Sequence, residues 1–348
     1  MDERFNETAN RMMPKGCRHA MLRYRNLEKR IIHKIHPSIK WSVAFFVFSV
    51  RIRLNECCFM PILPHVDTKM FRILKKEELV TNIYEMVVEH PQLAEKAEPG
   101  HFVIVMVSEN GERIPLTIAD FDRKAGTITL VIMAIGTSTK KIVALKAGDS
   151  LYAMIGPLGH KSEIENFGTV IMVAGGVGTA PIFPIARALK EHGNNVISIQ
   201  GARNKDLLFW NEKLASVSDE HIITTDDGSV GRKGLVTEPL KEILTDKSKE
   251  IGCVYTIGPA IMMKFCTETC RPFAVKTIAS LNSVMIDGTG MCGGCRVKVG
   301  NETKFTCVDG PEFDALAVDW DLVLSRQKMY HTEEKCSLER YVQQNSMS

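Results

Sequence analysis

Three stretches of the sequence predict a multidomain β plus α/β fold. From Phe71 to Gly159, short runs of β-branched and apolar residues recur between turn signals, the pattern of a small antiparallel barrel. From Thr169 to Cys270, continuous apolar strands alternate with helical stretches, the pattern of a parallel sheet covered by helices. From Asp287 to Pro311, Cys292, Cys295 and Cys307 stand among glycines. Glycine lets a backbone turn tightly enough to point its N–H groups at sulfur, so this loop suits an inorganic cluster better than a packed core.

The elements follow in order. Residues 1–69 show no period; they carry 13 Lys and Arg against 6 Asp and Glu, a balance of +7. The expected reading is an upstream start, with Met70 as the first residue of the protein proper, over a targeting or membrane-surface leader. Met70–Leu74 opens a strand, and Ile83–Val88, His101–Val107, Arg113–Ala119, Thr127–Ile135 and Ser150–Ile155 continue the barrel. Pro99-Gly100, Asn110-Gly111 and Gly126 mark turns, and a helix is expected over Ser138–Leu145. Beyond Gly159 the strands are Thr169–Ala174, Val196–Gln200, His221–Thr225 and Val254–Ile257, with helices at Ile182–His192, Leu235–Leu244 and Ala260–Cys270. Pro272–Asn282 leads into the cysteine loop, which holds a short hairpin between Cys295 and Cys307. The polar remainder has a loose helical pattern over Trp320–Met329. Expected domains are 70–163, 164–271 and 272–348.

Composition narrows the function. At 348 residues with 45% hydrophobic content, the chain has room for two or three packed domains. Outside the leader, 31 basic residues face 35 acidic ones, so no basic body remains for nucleic acid. Ten cysteines without a secretory signal point to a reducing, cytoplasmic setting in which clustered thiols bind metal. Trp41–Val50 is too short to span a bilayer, which needs roughly 20 apolar residues, so no membrane association is expected.

Several motifs could carry chemistry. Gly175-Gly176-Val177-Gly178-Thr179-Ala180-Pro181 joins a buried strand to a helix, where backbone N–H groups and the helix dipole can meet a pyrophosphate. It departs from G-x-G-x-x-G, and a ligand-free tight connection is the alternative. Arg113-Ile114-Pro115-Leu116-Thr117 sets a guanidinium fork beside a proline-fixed strand, a place for phosphate or simply a surface arginine. Gly136-Thr137-Ser138-Thr139 opens a helix with hydroxyls and free N–H groups, an anion site or an ordinary cap. Asp226-Asp227-Gly228-Ser229 could face a nucleotide or be a solvated turn. Cys266 and Cys270 share a helical face and read as buried structural thiols.

Together these motifs resemble the ferredoxin–NADP reductase superfamily of flavoproteins. With the cysteine loop after the nucleotide sheet, the order resembles the electron-transfer subunit of class B dihydroorotate dehydrogenase. It is more similar still to the small subunits of sulfide dehydrogenase and of NADH-dependent ferredoxin–NADP oxidoreductase. Asp287–Val297 and Phe305–Phe313 carry that likeness, which runs from Met70 to about Tyr330.

The resemblance implies FAD at Arg113, Pro115, Leu116 and Thr117, with its diphosphate at Gly136, Thr137 and Ser138. It implies a nicotinamide dinucleotide at Gly176, Gly178 and Thr179, with Gly258 and Pro259 beside the nicotinamide. A 2Fe–2S cluster is implied on Cys292, Cys295 and Cys307, with Asp287 as fourth ligand where the dihydroorotate subunit has cysteine. NAD(H) is expected over NADP(H), although Arg203 and Lys205 stand near the 2′-position. No general acid or base is expected, because hydride transfer needs none. The implied partner is a larger flavoprotein with 4Fe–4S clusters, of the glutamate-synthase small-subunit type, in a complex that uses ferredoxin and could bifurcate electrons. A sulfide or dihydroorotate system is the near alternative. A zinc-structured binding module is the distant one, since three thiolates and a carboxylate also satisfy zinc.

Overall fold

The computed structural model describes residues 71–246 and 248–346. The basic leader, and the expectation that the protein begins at Met70, lie outside them. The described residues form one compact unit.

The first part is a six-stranded antiparallel sheet in the order β1-β2-β5-β4-β3-β6. Its strands are β1 (Ile73–Val80), β2 (Ile83–Glu89), β3 (Phe102–Met106), β4 (Ile114–Asp122), β5 (Thr127–Met133) and β6 (Ala153–Leu158). Alternation drives it: Ile128, Leu130 and Ile132 of β5 point inward beside Met86 and Val88 of β2, all buried in one core. The sheet curls shut where Arg72 bridges Ser150, so the expected barrel forms. The β4–β5 turn is fixed by Asp122, whose carboxylate accepts the Lys124 and Ala125 N–H groups, and by Gly126 at φ +68°. The sequence gives no period for one short helix, α1 (Pro91–Lys96), which starts at a proline and is capped by the His90 ring. The expected helix forms as α2 (Thr137–Ala144).

The second part is a seven-stranded sheet in the order β10-β9-β8-β7-β11-β12-β15. It comprises β7 (Thr169–Gly175), β8 (Asn195–Ala202), β9 (Glu220–Thr225), β10 (Arg232–Lys233), β11 (Ile251–Ile257), β12 (Lys276–Ser280) and β15 (Glu312–Asp314). All pair in parallel except β15, which runs antiparallel to β12. Strand β7 is apolar throughout because both faces are covered. Val170, Met172 and Ala174 meet Ile182, Ile185 and Leu189 of α3 (Thr179–Glu191). Ile171 and Val173 meet Leu240 of α5 (Thr237–Thr245) and Cys266 of α6 (Ala260–Cys270). Helix α3 starts at Thr179, three residues before the expected Ile182, because Pro181 is tolerated within a first turn. A further short helix, α4 (Asn211–Ser216), escaped the sequence reading.

The last part leaves the sheet between β12 and β15. It holds the hairpin of β13 (Arg296–Val299) and β14 (Glu302–Phe305), one turn α7 (Thr306–Asp309), then α8 (Trp320–Arg326) and α9 (His331–Ser346). The sheet therefore continues past residue 272, and the cysteine loop is inserted in sequence between β12 and β15, neighbouring strands at one edge. Trp320 is buried with Val297, Phe313 and Val323, and its indole N–H donates to Ala315 O at 3.1 Å. No helix among the described residues is long and apolar enough to cross a membrane.

Candidate functional site

The cysteine loop rests on the barrel. Cys295 and Cys307 are buried with Phe102 and Ile104 of β3, against Leu158 of β6. Gly288 (φ +83°) makes the approach possible, since a Cβ there would lie 2.8 Å from Ile104 Cγ1. The two thiols are 3.2 Å apart, brought together because the β13–β14 hairpin returns the chain and Thr306 N–H donates to Cys295 O at 3.1 Å. Burial, and then the Cys295 thiol, push Cys307 up to about 12. Cys292 stands exposed on the rim, where the Gly294 N–H (3.4 Å) and then the Asp287 and Ile286 N–H groups lower its pKa. Two arginines hold loop carbonyls: Arg326 donates to Gly294 O at 2.8 Å and Arg296 to Gly293 O at 3.1 Å.

Asp287 is engaged twice. Its carboxylate accepts the Thr289 N–H (3.0 Å) and hydroxyl, which together hold it below the usual range, and it pairs with Arg113 at 3.3 Å. The proposed flavin arginine and the proposed cluster ligand are thus in contact. Among the described residues no three His, Cys, Asp or Glu side chains converge as a ready-made metal cage. The donor set nonetheless fits a 2Fe–2S centre: soft thiols, two of them buried, with backbone N–H groups aimed at sulfur.

The barrel residues lie together. Pro115, Leu116 and Thr117 pair with Ile104, Val103 and Phe102, so Arg113 leads a strand whose neighbour carries the cysteine loop. Gly136 caps α2 without a side-chain hydrogen bond to the first turn, and a Cβ there would meet only Thr139 Oγ1, at 3.8 Å. That leaves the first-turn N–H groups open to an anion, as an FAD diphosphate needs. The Ser138 hydroxyl donates to Glu112, and Thr137 Oγ1 lies 3.0 Å from Ser337 Oγ of α9.

At the nucleotide turn the glycines have separate tasks. Gly176 takes φ +55° in open space. Gly178 abuts β11, where a Cβ would fall 2.2 Å from Ile257 O, and a Cβ on Gly258 would fall 3.0 Å from Gly175 O. The ends of β7 and β11 can meet only because both positions are bare, which brings Gly258-Pro259 beside the turn. Thr179 differs: it is buried, and its hydroxyl accepts from Gln200 Nε2 at 3.3 Å. Gln200 Oε1 and Asn204 Oδ1 are buried acceptors without a protein partner, which fits a ligand that brings donors to the end of β8. The Asp226–Ser229 turn is tied to this edge, with Ser229 Oγ accepting the Lys205 N–H at 2.8 Å. Cys266 and Cys270 are buried in the sheet core, and burial pushes them up to about 12 and about 11.

Redox exchange between a pyridine nucleotide, a flavin and an iron–sulfur centre is the class of chemistry defined by a barrel, a nucleotide turn and a thiol loop so arranged. Residues 172–268 match an oxidoreductase NAD-binding domain, and residues 282–319 match the iron–sulfur cluster binding domain of dihydroorotate dehydrogenase B. The chain is 44% identical over 275 residues to a dihydroorotate dehydrogenase B (NAD(+)) electron transfer subunit homolog of Thermotoga maritima, covering 79% of this chain and 96% of that protein. It is 31% identical over 252 residues to the electron transfer subunit of Bacillus cereus, covering 69% and 94%. A solved NADH-dependent reduced ferredoxin–NADP oxidoreductase, described for flavin-based electron bifurcation, superimposes with a TM-score of 0.75 at 43% identity, covering 80% of this chain and 99% of that one. The chain belongs to the family of dihydroorotate dehydrogenase B-type electron-transfer subunits. The iron–sulfur match favours a redox centre over the zinc-structured module.

Proposed function

We propose that this chain is the FAD and 2Fe–2S electron-transfer subunit of a heteromeric, cytoplasmic NAD(H)-dependent oxidoreductase. The observation that carries the reading is the seat of the cysteine loop on the barrel, with Gly288 against Ile104 and Arg113 on Asp287. When bound, the flavin supplies the conversion between a two-electron hydride and the single electrons that an iron–sulfur centre carries.

The chain's own residues bind, orient and exclude. Gly176, Gly178 and Thr179 would hold the dinucleotide at the start of α3, with Gly258 and Pro259 fixing the nicotinamide edge. Pro115, Leu116 and Thr117 would bound the flavin ring, while Arg113 and the start of α2 (Gly136, Thr137, Ser138) answer its phosphates. Cys292, Cys295, Cys307 and Asp287 would ligate the cluster. NAD is favoured over NADP because the relatives that the chain matches are named for NAD(+). No side chain need act as acid or base. The working domains are 70–163, 164–271 and 272–348, with β12 and β15 tying the third to the second.

The partner is a larger flavoprotein, and we favour one with 4Fe–4S clusters of the glutamate-synthase small-subunit type, in a complex that also uses ferredoxin and bifurcates electrons. The relatives' names also support a dihydroorotate system. The test is to purify the native complex anaerobically, record its visible spectrum and assay each donor. Flavin and iron–sulfur absorption bleached faster by NADH than by NADPH is expected. Colourless protein with stoichiometric zinc would overturn the redox reading, and dihydroorotate turnover without ferredoxin would select the other partner.

A further inference from the structure

Helix α9 buries none of its 16 residues, yet one face of it is covered. Ser337, Leu338 and Tyr341 are half-buried, at a spacing that sets them on one side, while their neighbours are exposed. So polar a helix of this length is marginal alone in water, and a tertiary contact must hold it. That contact is α2. Thr137 Oγ1 lies 3.0 Å from Ser337 Oγ, and Lys141 Nζ lies 5.9 Å from the centre of the Tyr341 ring. Thr137 and Lys141 are one turn apart on the same face of α2, so the two contacts form a continuous seam.

The seam falls on the helix whose first turn is assigned to the FAD diphosphate. A hydroxyl can accept one hydrogen bond while donating another. With the Ser337 O–H donating to Thr137 Oγ1, the Thr137 hydrogen is free to turn toward a phosphate oxygen. The exposed Lys141 ammonium meanwhile lies over the Tyr341 ring, within cation–π range.

We propose that α9 is a strap belonging to the FAD site, in which Ser337 and Tyr341 are positioning residues that orient Thr137 and Lys141 toward the diphosphate and adenylate half of FAD. This rests on the flavin assignment made above. It predicts selectivity: the strap serves FAD more than FMN, which keeps one phosphate but lacks the second and the adenosine.

The experiment titrates FAD and FMN by fluorescence into the metal-reconstituted, flavin-stripped full chain and its Ser337→Ala/Tyr341→Ala and Ser337→Asp variants. Unloaded melting temperatures and hydrogen exchange of the α2 amides are recorded in parallel. For Ser337→Ala/Tyr341→Ala, the expected result is an FAD Kd raised about tenfold, as two modest contacts would give. FMN binding should weaken less than FAD binding, the unloaded melting temperature should shift little because α9 buries no residue in a core, and FAD should protect the α2 amides less. Ser337→Asp should cost more, because it adds a negative charge beside the phosphate. Unchanged FAD affinity, or equal weakening of FAD and FMN, would overturn the strap. A full chain that binds neither flavin would overturn the flavin assignment itself, a result visible before any variant is made.

Discussion

Asp287 has Arg113 on one side and Thr289 on the other, so its carboxylate is ionised and held at the edge of the thiol loop. A carboxylate is a harder, more labile donor than a thiolate. Asp287→Ala should therefore lower iron retention after gel filtration, while Asp287→Cys should keep a cluster with a shifted midpoint potential. Unchanged iron content and potential in both variants would move the fourth ligand elsewhere. A second residue-level prediction concerns Glu312, which burial pushes up to about 7 despite the Ser162 hydroxyl at 2.6 Å. That lies above the ordinary glutamate value of 4.5, so the folded state binds the proton more tightly. Stability from this group is fully present below about pH 4.5 and is lost as the pH rises through 7. Glu312→Gln should flatten that fall by about 2 kcal/mol in urea titrations between pH 5 and 8.

At the scale of elements, the close meeting of β7 and β11 sets the nucleotide turn. Gly178→Ala would place a Cβ 2.2 Å from Ile257 O, against backbone that cannot swing aside. The strand ends must part, at a cost of about 2–3 kcal/mol. The KM for NADH should rise by about tenfold or more, measured as reduction of a dye acceptor. Gly176→Ala meets open space but must adopt φ +55°, so its smaller loss should come from backbone strain alone.

At the scale of the whole molecule, the barrel and sheet are joined by a mixed seam. Ile83, Ala119 and Val131 pack with Ala180 and Phe209, and Trp210 Nε1 donates to Glu85 Oε2 at 3.2 Å. Asp120 of β4 accepts Arg187 at 2.8 Å and Lys213 at 3.1 Å from the other side. This half-buried bridge ties the nucleotide domain to the barrel at β4. Asp120→Ala should cost about 1–2 kcal/mol. It should also slow bleaching of the bound flavin at saturating NADH, with the circular dichroism spectrum unchanged. An unchanged bleaching rate would leave the apolar contacts and the Trp210–Glu85 hydrogen bond to hold the two domains in register.

Much of this was legible in the chain alone. Period-two alternation in β2 and β5 and the unbroken apolar run of β7 specify barrel and sheet, because burial of one face or two writes itself into residue order. The glycine turn and the spacing of Cys292, Cys295 and Cys307 marked the binding segments, since backbone freedom and thiol chemistry are local properties. Helices α1, α4 and α9 left no such trace: two are only six residues long, and α9 is held by a few polar contacts and not by an apolar stripe. What only the tertiary structure decided was juxtaposition. Arg113 meets Asp287 across 174 positions and Thr137 meets Ser337 across 200, while Gly178 reaches Ile257 because sheet order brings β11 beside β7. No local pattern encodes such pairs, because each depends on where the whole fold returns the chain.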